Sequence, residues 1–144
     1  MSNVYIASPW FTPEQDERLQ FVKSVFDKQG VEYFSPKDVF VCPPEADRET
    51  RESTFEGNIA AIDDAEYVFA ITDGKDMGTI WEAGYAYGVG VPVIYYCETL
   101  SEGSPFNLML AQSAYNIITS RDELRNFDLR PGEVGYNEYS GSIE

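Results

Sequence analysis

Five short, largely apolar runs, at 4–7, 31–34, 67–71, 91–96 and 115–118, constrain this chain more than any other feature. Their apolar residues sit on successive positions instead of alternating, so strands built from them must be covered on both faces. The stretches between them supply that cover. Thr12-Pro13-Glu14-Gln15 opens a helix, with Thr12 as N-cap, Pro13 at the first helical position and Gln15 closing a capping box. Leu19, Val22 and Phe26 carry its apolar stripe to a stop at Gly30. Residues 35–49 hold three prolines and no period, which predicts a long loop. The spacing of Phe55, Ile59 and Ile62 predicts a helix over about 52–65. After a turn at 73–78, small and aromatic residues alternate over 79–88, as suits a helix packed tightly on a sheet. A short helix over 106–112 and a last helix opened by Ser120 and Glu123 complete the pattern, ahead of a polar and aromatic tail. Strands alternating with helices predict an α/β fold: a five-stranded, mostly parallel sheet with helices on both faces and right-handed crossovers. At 144 residues, without internal repeats, the chain is expected to form one domain over 1–144.

Charge narrows the partners. Against 25 acidic residues stand 10 basic ones and no histidine, a formal net charge of −15. Such a surface repels nucleic acids and anionic membranes, whose binding depends on Lys and Arg displacing counterions, and it suits a neutral small molecule. Without histidine, acid–base work falls to Asp, Glu, Tyr or Lys. Cys42 and Cys97 make no CxxC pair, so reduced thiols are expected and no metal site is. The sequence shows neither a basic leader with an apolar run nor a window of about 18 apolar residues, and a cytoplasmic protein is expected.

In open parallel sheets, ligands bind beyond the carboxyl ends of the strands, where loops converge. Those loops hold Ala7-Ser8-Pro9-Trp10-Phe11, Thr72-Asp73-Gly74-Lys75-Asp76-Met77-Gly78 and the run to Pro105-Phe106-Asn107-Leu108-Met109. Asp73, Asp76 and Glu82 fall in one loop and the first turn of the next helix. Unpaired N–H groups there favour an ionised carboxylate, which would keep Glu82 anionic at neutral pH. Local capping explains acids at such positions equally well. Gly74 and Gly78 fit neither a P-loop nor GxGxxG, and turn geometry accounts for them. Trp10 and Phe11 could stack on a flat base or form the rim of a core. Tyr5 reads as core, with a phenol that a carboxylate at the strand ends would satisfy.

Asp76-Met77-Gly78-Thr79-Ile80-Trp81-Glu82-Ala83-Gly84-Tyr85-Ala86 resembles the D-x-G-T-x-x-E-x-G-x-A signature of nucleoside 2-deoxyribosyltransferases. Tyr5-Ile6-Ala7-Ser8-Pro9-Trp10-Phe11 and Asn107-Leu108-Met109 are similar to two further motifs of that family. The resemblance implies a flavodoxin-like fold. It also implies a ping-pong exchange of 2-deoxyribose between purine or pyrimidine bases, with retained configuration, a covalent glutamate intermediate and no cofactor. It puts Glu82 on the nucleophile, Tyr5 on the phenol that orients it, and Asp76 on an acid near the sugar or base, the first candidate for proton delivery. Trp10, Phe11, Asn58 and Gly78 become substrate contacts. Asn107 and Met109 fall on residues supplied by a neighbouring subunit, implying a homo-oligomer with shared sites. The implied substrates are 2′-deoxyribonucleosides and free nucleobases, as in nucleotide salvage. Two departures stand out: many members carry Asp where this chain has Asn58, and the chain ends in Glu144 where the family often has Tyr. The competing readings are an N-glycosidase acting on 2′-deoxynucleoside 5′-monophosphates and a non-catalytic nucleotide-binding module.

Overall fold

A computed structural model describes residues 4–39 and 42–144. Five strands, β1 (Val4–Ala7), β2 (Tyr33–Phe34), β3 (Tyr67–Ile71), β4 (Val93–Tyr96) and β5 (Asn116–Ile118), form one sheet in the order β2-β1-β3-β4-β5. Every pairing is parallel, with Tyr5 opposite both Phe34 and Val68. This is the flavodoxin-like order, in which the connections reverse direction between β1 and β3.

The apolar runs are covered on both faces, as successive apolar positions require. On one face Val4, Ile6, Phe69 and Tyr96 pack against Leu19, Val22 and Phe26 of α1 (Pro13–Lys28) and Leu124 of α6 (Arg121–Asn126). On the other, Tyr5, Ala7, Val68 and Ala70 pack against Ile62 of α3 (Arg48–Asp63), Ala83 and Ala86 of α4 (Met77–Gly88) and Ala111 of α5 (Leu108–Ser113). The alanines of α4 let that helix lie close to the sheet. Among the described residues no helix is long and apolar enough to cross a membrane.

Three strands start later than the apolar runs predict, β5 by one residue and β2 and β4 by two, and the latter two share one reason. Gly30 (φ +70°) and Gly90 (φ +83°) follow α1 and α4 in the left-handed conformation. The next N–H groups then turn back onto the helices, Val31 to the Phe26 carbonyl (3.1 Å) and Val91 to that of Ala86 (2.9 Å). Both valines thus close helix ends and are withheld from the ladder. The predicted loop over 35–49 includes Phe40 and Val41, which lie outside the described residues, but it also holds α2 (Pro36–Val39) and the start of α3. Asp47 caps α3 by accepting from the Thr50 N–H at 2.8 Å, which starts it ahead of residue 52.

Candidate active site

The loop from β3 to α4 sets the geometry. Gly74 (φ +80°) and Lys75 (φ +56°) reverse the chain, and Asp76 then caps α4, its Oδ2 accepting from the Thr79 N–H and hydroxyl, each at 3.0 Å. Gly78, unlike Gly74, needs no turn conformation. It lies inside the helix, where a Cβ would stand 3.4 Å from Asp76 Oδ2.

Asp76, not Glu82, therefore occupies the helix terminus. Glu82 lies in the second turn, and its ionisation is governed by burial and not by the helix end as its position in sequence suggests. Burial pushes its carboxyl up to about 7, with Asp76 adding to the rise and a hydrogen bond from Tyr5 opposing it. Tyr5, fully buried on β1, reaches across the β1/β3 reversal and donates its hydroxyl to Glu82 Oε2. Burial first and the Glu82 charge second hold the phenol far above its ordinary pKa, so it remains a donor.

Glu82 opens into a cavity of about 410 Å³. Trp10, Phe11, Asn58, Asp76 and Gly78 line it, so most of the residues singled out in the sequence come together. Phe55 and Trp81, which sequence reasoning missed, complete its aromatic wall, their ring centroids 5.4 Å apart. Phe55 and Ile59 read as a core stripe, yet of that stripe only Ile62 is buried. The usable signal for Trp81 was its position beside Glu82. None of the residues lining the cavity is basic, and among the described residues no cluster of acids or cysteines is placed to hold a metal ion.

Asn107 and Met109 do not line this cavity. They line a second one, of about 460 Å³, together with Glu144, so in a single chain the C-terminal residue also faces away from Glu82. Asn107 caps α5, accepting from the Met109 N–H at 2.9 Å, and Met109 is 75% exposed.

Asp73 is also turned away. It is 2% exposed, accepts from the Thr99 N–H at 2.8 Å and faces the buried Arg18. Arg18 lies 3.0 Å from Glu14, 3.3 Å from Glu98 and 3.8 Å from Asp73. Arg121 bridges Glu98 to Glu17, and Tyr96 donates to Glu98 at 2.8 Å.

A family model for nucleoside 2-deoxyribosyltransferases matches residues 4–109, a span that includes Tyr5, Asn58, Asp76, Glu82 and Asn107. The chain belongs to the nucleoside 2-deoxyribosyltransferase family. The solved structure of a 2-deoxyribosyltransferase from the psychrotolerant bacterium Bacillus psychrosaccharolyticus aligns with a TM-score of 0.84 at 27% identity, over 96% of this chain and 100% of that one. A conserved protein from Enterococcus faecalis V583 (TM-score 0.66, 18% identity, 87% and 95% covered) shares the fold. So does a 2-deoxyribosyltransferase from Leishmania mexicana (TM-score 0.55, 20% identity, 72% and 69% covered). No curated protein sequence matches the chain.

Proposed function

We propose that this 2-deoxyribosyltransferase family member exchanges the base of 2′-deoxyribonucleosides by a ping-pong, configuration-retaining route through Glu82. The observation that carries this is the carboxylate of Glu82 held by the Tyr5 hydroxyl at one side of a cavity walled by flat aromatic rings. Ionised Glu82 attacks C1′, and the C1′–N bond breaks with its electron pair leaving on the base, which takes up a proton. A second base then attacks C1′, gives up its proton and releases the glutamate. Two inversions restore the configuration. Tyr5 holds one oxygen of Glu82 so that the other faces the sugar. Asp76, with Oδ2 committed to Thr79, has Oδ1 left for the sugar or the departing base.

Because Asn107 and Met109 of the same chain line a different cavity, we assign them to the site of a neighbouring copy in a homo-oligomer, working in the cytoplasm. A 5′-monophosphate substrate fits less well. Phosphate recognition favours Arg, Lys or an amide nest, and the cavity has no basic lining.

Thymidine mixed with free adenine should yield deoxyadenosine and thymine by chromatography, and a denaturing quench during turnover should leave a deoxyribosyl ester on the peptide containing Glu82. Deoxyribose without exchange product would mark a hydrolase. Binding without either product would mark a non-catalytic module.

A further inference from the structure

The polar side chains lining the Glu82 cavity, indoles aside, are nearly all engaged within the chain. Ser8 donates to the Pro9 carbonyl at 2.8 Å, Thr79 donates to Asp76 at 3.0 Å, and Glu82 accepts from Tyr5. Asn58 is the exception: its Oδ1 is shielded from solvent and has no hydrogen-bond partner. Two other such atoms occur among the described residues, Arg18 Nε and Asp73 Oδ1, and they face each other at 3.8 Å as an ion pair. Asn58 has no comparable compensation. A shielded amide oxygen without a partner is disfavoured until something supplies a donor.

Asn58 sits on α3 and lines the cavity together with Phe55, Ile59 and Ile62 of the same helix. We infer that Asn58 selects the base, and that the base it selects is a 6-aminopurine. This rests on the exchange reading above. A purine whose glycosidic nitrogen faces C1′, across that carbon from Glu82, presents to a neighbouring side chain N7 and the substituent at C6. In adenine these are an acceptor and a donor, the complement of a carboxamide's donor and acceptor, and both hydrogen bonds form together. Hypoxanthine and guanine present two acceptors there and leave Oδ1 facing an oxygen. Cytosine offers its amino group but only a C–H beside it, and thymine offers a carbonyl and a methyl. The carboxamide has no titrating proton, so the preference is independent of pH.

The test holds thymidine constant as donor and compares adenine with hypoxanthine as acceptor in the full-length protein. The kcat/KM for adenine should exceed that for hypoxanthine by about tenfold or more, the discrimination ordinary for one bidentate pair. Asn58→Leu, close in size but without hydrogen-bonding groups, should bring the ratio near one. Asn58→Asp should keep part of the preference and make it pH-dependent, because an ionised carboxylate accepts from the amino group but cannot donate to N7. Calorimetric binding of the two free bases gives the same ratio without turnover and also decides the matter if Asn58→Leu is poorly folded. Exchange without discrimination, or discrimination unchanged in Asn58→Leu, overturns the assignment and leaves the exchange reading intact. Loss of exchange with every base overturns the exchange reading, and the calorimetric ratio still decides for or against Asn58.

Discussion

Two groups of carboxylates flank the same strand ends and meet opposite treatment. Asp73 and Glu98 share Arg18, and Glu98 also takes Arg121 and the Tyr96 hydroxyl. Burial works to raise the Glu98 carboxyl, yet Arg121, Tyr96 and Arg18 outweigh it and hold it low. Among the described residues Glu82 is given one neutral phenol and no cation, so burial wins and its carboxyl rises to about 7. The chain has only 10 basic residues for 25 acidic ones, and it places two arginines on acids that do not line the Glu82 cavity. A fully paired carboxylate is a poor nucleophile. On the proposed mechanism, leaving Glu82 without a cation keeps it reactive.

That contrast can be broken most severely at Glu82 itself. Glu82→Ala should lower exchange by on the order of a thousandfold or more with the fold retained, as loss of a covalent nucleophile does; circular dichroism alongside the exchange assay checks both. The paired side is probed by Arg18→Met, which leaves the buried Asp73 without its cation while Glu98 keeps Arg121. Urea denaturation should show a loss of about 3–5 kcal/mol, the usual penalty for breaking a buried pair from one side. Next comes Tyr5→Phe, which should cut kcat about ten- to a hundredfold. In the unaltered protein kcat/KM should fall about tenfold per pH unit below about 7, because the nucleophile must be ionised. The Tyr5 bond lowers that pKa, so Tyr5→Phe should move the limb to higher pH. An unmoved limb would mean that another group titrates.

The smallest effect has the opposite sign to that of Arg18→Met. Glu82 has its pKa raised in the folded state, so its contribution favours folding below about 4.5 and is lost as pH rises through about 7. Glu82→Gln should therefore stabilise the protein at pH 8. The gain should be about 1 kcal/mol, less than the full shift implies because the cavity admits water, and thermal melts at pH 5 and pH 8 should show it at the higher pH only.

The architecture was legible in the sequence because doubly covered strands need successive apolar residues, and all five runs became strands. Their edges were less legible, since whether Val31 or Val91 joins the ladder depends on a glycine turning its N–H back to a helix. The residues gathered at the cavity were legible from the motif around Glu82 and from Trp10 and Phe11. Their electrostatics were not: Asp76 and Glu82 look equivalent as acids near a helix start, and only the folded chain shows that one caps the helix and the other is buried against Tyr5. Phe55 followed a core-facing period, but α3 lies over the cavity for part of its length and the period carries no record of what it faces.

The aromatic wall also makes the molecule its own optical reporter. Its two tryptophans, Trp10 and Trp81, both line the Glu82 cavity. Intrinsic emission therefore carries no background from indoles elsewhere in the fold. A base stacking on those rings should quench and shift most of the signal at once, allowing occupancy to be followed in real time without a label.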